Sequence, residues 1–343
     1  MSGTGRTLVA RSLQGRCTTV HDDPEPMTTP LKTFIRATEI WVPSADGLLL
    51  EFGGGLFAGA AHFAAISRAM CFGRAEGLPG TAWDEGRPIL LKQFEGSNFR
   101  RTAAAKSAGL GCAVALPMFL GDTLTAVLVF FCSDDAAQGG ALELWRNNPR
   151  VTTDMTLVDG RYGADAAALE ALSRETFLPR GTGLPGMAWQ RGSAVFMPEL
   201  GSAGRFLRGE AVASAGVHRG LAIPCPTRAN ENHVLTLLAS AATPIARRIE
   251  TWSPDTSGRT LQRSFGFCEG EGALTAATAG VPLEADASCV ARAFMSGVPA
   301  LTNQAAAEPR AVGASAGACG AETMVAVPII SEGVVAEVLV LYF

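Results

Sequence analysis

The sequence lacks the features that mark several large classes of protein. Its 28 basic and 32 acidic side chains give a net charge of only −4, and no basic cluster is interleaved with aromatic residues. Such a chain has no field that would capture a phosphate backbone, so nucleic-acid binding is disfavoured. The densest apolar stretches, Leu124 to Cys132 and Val334 to Phe343, are about half as long as a bilayer requires. We therefore expect buried strands there and no membrane segment.

Metal-ligand spacings and paired cysteines are also missing. The eight cysteines are scattered without a Cys-x-x-Cys pair, and the four histidines show no spacing suited to a metal or haem. We therefore expect structural thiols, no metal and a cytoplasmic, reducing compartment. Residues 1–30 have no hydrophobic periodicity and carry three arginines before the first acid. We expect them to form a flexible tail, with organelle targeting as the alternative.

The sequence does contain a repeated pattern of about one hundred residues. Glu-x-Trp occurs at Glu39, Glu143 and Glu250, and its tryptophans lie 104 and 107 residues apart. The segment Gly-Leu-Pro-Gly-x-Ala-Trp at 77–83 returns at 183–189. Several markers in one order predict three tandem domains: repeat 1 at 31–136, repeat 2 at 137–242 and repeat 3 at 243–343. A third marker follows in each repeat: Gly86-Arg87-Pro88, Gly192-Ser193-Ala194 and Gly297-Val298-Pro299.

The local pattern within a repeat predicts a mixed α/β fold. Each repeat begins with a Glu-x-Trp strand, and apolar spacing favours a helix over Phe57 to Met70 and a shorter one over Phe99 to Ser107. Gly-Leu-Pro-Gly is expected to open a further helix, because proline is prearranged for a first helical turn. Ala113 to Met118 and Leu124 to Cys132 are rich in strand-forming residues.

This order of motifs resembles the GAF domain. The resemblance rests on Glu-x-Trp, on Gly-Leu-Pro-Gly-x-Ala-Trp, on Phe99-Arg100-Arg101, and on the Ala-Gly-Leu to Leu-Pro segment at 108–117. It is degenerate in repeat 3, where Ser288 to Ala291 replaces Gly-Leu-Pro-Gly and Phe294 replaces the tryptophan. The resemblance implies an antiparallel sheet with helices on one face and a ligand pocket between the sheet and its covering loops.

The sequence departs from the better-defined GAF classes. We find no cyclic-nucleotide signature, and neither Cys71-Phe72 nor Cys112-Ala113 matches the pair typical of bilin attachment. The cysteine set of the methionine-sulfoxide-reducing members does not map onto Cys71, Cys112 and Cys132. Because signalling relatives usually carry a kinase, cyclase or DNA-binding module, we expect any output here to come from a protein partner or from self-association.

Two catalytic or cofactor motifs occur without their usual context. Gly313-Ala-Ser315-Ala-Gly317 matches a hydrolase elbow, but no histidine follows it in the chain. Gly181 to Gly186 matches a dinucleotide fingerprint without a clear preceding βαβ strand. We interpret the first as a product of a glycine- and alanine-rich sequence and the second as a helix start, and we identify no cofactor.

The sequence favours a regulatory or binding protein over an enzyme, and we keep two such functions open with one enzyme as a less favoured third. The first is a regulatory protein that senses a small molecule, and we expect an anionic metabolite bound in repeat 1, with repeat 2 as second choice. The second is a ligand-free GAF scaffold that serves for association. The third is an enzyme of the methionine-sulfoxide-reductase type. The candidate ligand-binding residues combine aromatic side chains, arginines and one thiol: Trp83, Phe99, Arg100, Arg101, Cys112, Trp189, Phe206 and Arg208.

Overall fold

The computed structural model describes residues 32–133, 140–201, 206–225, 227, 231–274, 280–284 and 288–343. The predicted tail at 1–30 and the predicted boundary near 137 lie outside these residues, and the boundary near 243 stays a prediction. In the described part of the chain, no helix has the length and apolar character needed to cross a membrane.

The first Glu-x-Trp segment is a central strand of an antiparallel sheet. We call this sheet and the helices that pack on it unit 1. The strands are β1 (Ile35–Pro43), β2 (Leu50–Leu56), β3 (Cys71–Phe72), β4 (Ile89–Leu91), β5 (Leu110–Leu120) and β6 (Thr123–Ser133). Their order in the sheet is β3-β2-β1-β6-β5-β4. The helices are α1 (Ala61–Arg68), α2 (Gly77–Glu85) and α3 (Thr102–Ser107).

The second Glu-x-Trp segment organises unit 2 in the same way. Its strands are β7 (Gly140–Asn147), β8 (Met155–Tyr162), β9 (Phe177–Leu178), β10 (Val195–Met197), β11 (Arg219–Cys225) and β12 (Asn232–Ala239). The order β10-β11-β12-β7-β8-β9 places each strand where its counterpart lies in unit 1. The helices are α4 (Ala167–Glu175), α5 (Gly183–Arg191) and α6 (Gly209–Ser214).

Unit 3 repeats this order around the third Glu-x-Trp segment. Its strands are β13 (Arg248–Pro254), β14 (Thr260–Cys268), β15 (Gly272–Ala273), β16 (Val281–Pro282), β17 (Ala300–Thr302), β18 (Met324–Ser331) and β19 (Val334–Tyr342). They follow the order β15-β14-β13-β19-β18-β17, with β16 beside β14. The helices are α7 (Cys289–Ser296) and α8 (Arg310–Cys319).

The predicted fold class is therefore confirmed: antiparallel sheets flanked by helices. Two of the predicted helices are shorter than expected, since α1 begins at Ala61 and α3 begins at Thr102. The side chains of Trp41, Trp145 and Trp252 are fully buried, and each packs in the helix-side core of its unit.

Gly-Leu-Pro-Gly opens α2 and α5, as predicted. Gly77 and Gly183 begin these helices with φ of +56° and +65°, a backbone conformation that favours glycine. The second glycine of each motif packs against the preceding loop, so that a Cβ atom at Gly80 would collide with the carbonyl oxygen of Gly73. The start of α7 is instead stabilised by an N-cap, because the Ser288 hydroxyl accepts a hydrogen bond from Ala291 N.

The three sheets pack against one another through their helix-free faces. One apolar cluster joins Val114 and Leu116 of β5 to Leu221 of β11 and to Val325 and Val327 of β18, and all five are almost fully buried. These strands occupy equivalent positions in their sheets, so the units meet around a shared core. The helices of each unit lie over a separate core on the other face of its sheet.

The contacts between units run head to tail and close on themselves. Unit 1 meets unit 3 where the Thr125 hydroxyl donates to Gly297 O over 2.8 Å. Unit 3 meets unit 2 where Glu337 accepts from Ala194 N, and unit 2 meets unit 1 through the Lys92–Asp159 ion pair of 2.9 Å. Each unit thus uses two different surfaces, as in a closed ring of heterologous contacts.

Candidate functional site

The glutamate of the first Glu-x-Trp segment is the centre of a buried polar cluster. The Trp41 indole donates to Glu39 Oε2 over 3.0 Å, and the Arg101 guanidinium donates to both Glu39 oxygens. Arg101 also donates to the Ser67 hydroxyl of α1. Because a charge costs several kcal/mol to bury alone, this cluster depends on the pairing of the two ions.

The same cluster recurs in unit 2 around Glu143. Its carboxylate accepts hydrogen bonds from Trp145, Arg208, Ser173 and the Tyr162 hydroxyl. Burial raises the pKa of Glu143, but the Arg208 charge and the hydrogen bonds outweigh it, so the net pKa is lowered. The carboxylate is therefore held in its charged form.

Unit 3 builds the cluster with a different arginine. Arg248, two residues before Glu250 on β13, donates to Glu250 Oε1 over 2.9 Å, and Arg263 donates to the same oxygen over 3.0 Å. The Ser315 hydroxyl of α8 and the Tyr342 hydroxyl each donate to Glu250 over 2.9 Å. The serine of the hydrolase-like motif therefore lies within a helix as part of a structural network.

The structure places the predicted anionic-ligand anchors in these clusters rather than in an open pocket. Arg101 and Arg208 are 4% and 2% exposed, and each is paired with the glutamate of its own unit. Phe99 and Phe206 are buried as well, with ring centroids 5.2 and 5.0 Å from those guanidinium groups. Sequence reasoning missed this role because each glutamate lies more than sixty residues from its arginine.

Three more candidates lie apart from these clusters. Arg100 is exposed and pairs with Glu76 over 2.9 Å. Trp83 packs in the helix-side core of unit 1, and Trp189 packs against that of unit 2. An arginine lies against each ring, Arg74 at 5.0 Å from Trp83 and Arg180 at 5.7 Å from Trp189. Each of these tryptophans thus makes a cation–π contact with an arginine from the loop before its helix.

Cys112 lies on the wrong face of its sheet for the predicted site. It packs in the shared core between units, whereas Trp83 and Phe99 pack on the helix side of the same sheet. It pairs in register with Cys132 of the neighbouring strand. A hydrogen bond with that thiol lowers the pKa of Cys112, and the same bond together with burial raises the pKa of Cys132. All described cysteines are free, and Cys71 is exposed.

A cavity of about 380 Å³ lies where unit 2 meets unit 3. One wall is the edge of unit 2, where α5 ends and β10 begins. The other wall is the helix-free face of the unit 3 sheet. Twelve residues line it: Arg191, Gly192, Ser193, Ala194, Val195, Phe196, Thr251, Ser253, Ser264, Phe265, Ala336 and Glu337.

Glu337 is the buried charge of this cavity. Its side chain is on β19, and the residue is only 6% exposed. One carboxylate oxygen accepts from Ala194 N over 2.6 Å. The other oxygen has no hydrogen-bond partner in the part of the chain that the structure describes. Burial raises the pKa of Glu337 to about 7, although the bond from Ala194 acts in the opposite direction.

The other two junctions between units lack this arrangement. In each unit, a valine of one strand pairs with the proline of its neighbour, and the residue before that valine is equivalent in the three units. This residue is Glu337 in unit 3, Ala126 in unit 1 and His233 in unit 2. On the opposite wall, Ala194 corresponds to Pro88 and Pro299 of the third sequence marker. Proline has no N–H to donate. Both partners of the Glu337–Ala194 bond therefore occur together only at this junction.

Three of the hydroxyl groups that line the cavity come from unit 3. Thr251 and Ser253 flank Trp252, where unit 1 has Ile40 and Val42. Their hydroxyls lie 2.9 and 3.1 Å from that of Ser264. Phe196 of β10 closes the cavity, with its ring 5.9 Å from Phe265 and 5.1 Å from Phe267. The sequence contains one signal for this site, because Ala194 stands where the other two repeats have proline.

No protein-family model matches the chain, and no curated protein matches it. Among the described residues, no three His, Cys, Asp or Glu side chains come together as metal ligands would.

The chain is similar to several solved structures, each over about a third of its length. One is the GAF domain of A. Aeolicus nlh2 in an inactive state, at 16% identity over 29% of this chain and 58% of that one, with a TM-score of 0.24. Another is the free methionine-R-sulfoxide reductase from Neisseria meningitidis in complex with its substrate, at 14% identity over 31% and 53%, with a TM-score of 0.23. A third is the GAF domain/HD domain protein from Geobacter sulfurreducens, at 14% identity over 29% and 65%, with a TM-score of 0.25. The matched region thus spans little more than half of the first two chains.

Proposed function

We propose that this protein is a regulatory protein of three tandem GAF-like units that senses a small molecule, and that the molecule binds between units 2 and 3. The observation that carries the proposal is the cavity of about 380 Å³ with the half-paired carboxylate of Glu337 at its wall. A volume near the lower end of the range for ligand pockets suits a small metabolite. The second oxygen of Glu337 lines the cavity without a partner among the described residues, so a bound molecule can complete its hydrogen bonds.

Binding rather than catalysis is the role that these groups favour. A nucleophile needs an adjacent base that takes its proton. The Thr251 and Ser253 hydroxyls of the cavity are each hydrogen-bonded to that of Ser264, and the Ser315 hydroxyl donates to Glu250 from within α8. Glu337 itself is engaged by a backbone N–H. These contacts hold polar groups in place and leave them suited to recognition.

The position of the cavity gives a route from binding to output. A molecule there touches α5 and β10 of unit 2 together with β13, β14 and β19 of unit 3. It would therefore favour the docked arrangement of the two units over any arrangement that separates them. We propose that a protein partner, or a second copy of the chain, reads that preference.

A ligand-free scaffold is the second candidate, and a specific observation favours it. The helix-side core of each unit, where the resemblance placed the ligand, is occupied by aromatic side chains and a glutamate–arginine cluster. Under this alternative the three units serve only to present their outer surfaces to partners.

Native mass spectrometry and a thermal-shift screen distinguish the two candidates. The full chain, purified from its own source, is expected to carry an added mass that denaturation releases. A library of amino acids, amines, carboxylates, sugars and nucleotides is expected to contain a compound that raises the melting temperature of the wild type but not that of Glu337→Gln. The scaffold is correct instead if no compound of any class separates the two proteins.

A further inference from the structure

The charges that line the cavity point to the kind of molecule it holds. We propose that the ligand is a small zwitterion, whose ammonium group binds Glu337 and whose anionic group binds Arg191. This inference rests on the proposed function and names the ligand class of the same site.

The inner end of the cavity is built for a hydrogen-bond donor. Glu337 is only 6% exposed, and its second oxygen is without a hydrogen-bond partner among the described residues. The Thr251 and Ser253 hydroxyls lie on the neighbouring strand and can accept further hydrogen bonds. An ammonium group has three hydrogen-bond donors, and its positive charge compensates the negative charge of a buried carboxylate.

The outer end of the cavity is built for an anion. Arg191 is the last residue of α5, it is exposed, and its side chain has no ion-pair or hydrogen-bond partner in the described chain. A guanidinium at this place can bind a carboxylate or phosphate with two parallel hydrogen bonds.

The balance of charge favours a zwitterion over a ligand with a single charge. Arg191 and Glu337 are the charged residues of the lining, and their charges cancel. A plain amine would pair with Glu337 and leave Arg191 without a counter-charge. A plain carboxylate would pair with Arg191 and leave Glu337 without one. The rings of Phe196 and Phe265 lie along the wall and suit a short apolar segment between the two charged ends.

The Glu337 pKa supplies a second readout. Burial raises it to about 7, so near pH 6.5 much of the free protein carries a proton on this group, and Arg191 is the other ionisable group of the lining. An ammonium group favours the charged carboxylate, and binding should therefore release a proton from the protein. Calorimetry in buffers of different ionisation enthalpy measures that proton directly.

The test uses the full chain and defined probes. The zwitterions are the twenty protein amino acids, β-alanine and γ-aminobutyrate, and the matched single charges are butylamine and butyrate. We expect at least one zwitterion to bind at least tenfold more tightly than either single-charge probe and to release a proton at pH 6.5. Glu337→Gln and Arg191→Gln should each weaken it at least tenfold, and Glu337→Gln should abolish the proton release.

Two variants serve as matched controls. Glu322→Gln and Arg150→Gln change exposed residues outside the cavity, and they should leave binding unchanged. The zwitterion assignment is overturned if no zwitterion binds, or if Arg191→Gln leaves affinity unaltered. If instead an amine, a neutral compound or an anion binds and Glu337→Gln removes it, the ligand class is wrong and the proposed function stands. If no compound of any class binds, both fail.

Discussion

Glu143 and Glu337 are both buried carboxylates, but their surroundings act on them in opposite ways. Glu143 has a guanidinium, an indole, a phenol and a serine around it, and its pKa is lowered in spite of burial. Glu337 has one backbone N–H, and burial raises its pKa to about 7. Burial alone therefore does not determine whether a carboxylate is charged and paired within the fold or is left without a full set of partners. The number of donors that the chain itself supplies decides.

The largest effect should come from removing the arginine that pairs with a buried glutamate. Replacing Arg208 or Arg101 by Met leaves the charge of Glu143 or Glu39 buried without its partner, which costs about 3–5 kcal/mol. Urea unfolding followed by tryptophan fluorescence measures the loss. Arg100→Met is the matched control for Arg101→Met, because Arg100 is exposed and pairs only at the surface. A loss below about 1 kcal/mol in Arg101→Met would show that the buried pair does not stabilise the fold.

This prediction reverses what the sequence indicated for Arg101. From the sequence, an arginine near the start of a short helix beside an expected pocket looked free to bind an anion. The structure pairs it with Glu39 of β1, a residue from a different part of the chain. Such a pairing depends on how β1 and α3 come together, and neither composition nor periodicity of either segment contains that information.

Other features of the fold were open to prediction because their cause is local. The buried tryptophans recur at a fixed spacing, and Gly77 and Gly183 begin their helices with a backbone conformation that glycine permits at little cost. The face of Cys112 was also accessible to reasoning. Side chains alternate along a strand, so Cys112, Val114 and Leu116 share one face, and that face is the shared core. The cavity required knowledge of which surfaces of two units meet.

The second prediction concerns how the free energy of unfolding depends on pH, because the two carboxylates contribute to it with opposite signs. The folded pKa of Glu337 lies near 7, above its ordinary 4.5, so between these values the folded protein binds more protons than the unfolded chain. The stability associated with Glu337 is therefore full below pH 4.5 and falls as pH rises through 7, by at most about 3 kcal/mol. Glu143 has the opposite sign, since its lowered pKa gives stability above pH 4.5 that is lost in acid.

Chemical unfolding of wild type and Glu337→Gln between pH 4.5 and 8 measures this slope. The variant should be the more stable protein at pH 8 and nearly equal to the wild type at pH 4.5. Glu322→Gln, an exposed change on the same unit, controls for net charge. Parallel curves for wild type and Glu337→Gln would mean that Glu337 does not titrate in this range.

A smaller effect should follow from making the junction of units 2 and 3 like the other two. Ala194→Pro introduces the residue found at positions 88 and 299 and removes the N–H that donates to Glu337. Loss of a hydrogen bond to a charged group costs about 1.5–3 kcal/mol at pH 8, where Glu337 is charged, and less at pH 5, where it is protonated. The double variant Ala194→Pro/Glu337→Gln should recover most of that loss in the same unfolding assay. No recovery would mean that the proline acts through the backbone alone.

The smallest effect on stability should come from the rim of the cavity, and it separates binding from folding. Arg191 is exposed and has no partner among the described residues, so Arg191→Gln should change the free energy of unfolding by less than about 0.5 kcal/mol. Glu337, which lies inside, cannot offer this separation because its replacement alters both stability and binding. If the protein senses a molecule through this cavity, Arg191→Gln should keep the wild-type melting temperature in buffer and lose the increase that a bound molecule produces. A fall in melting temperature without any added molecule would instead give Arg191 a part in holding units 2 and 3 together.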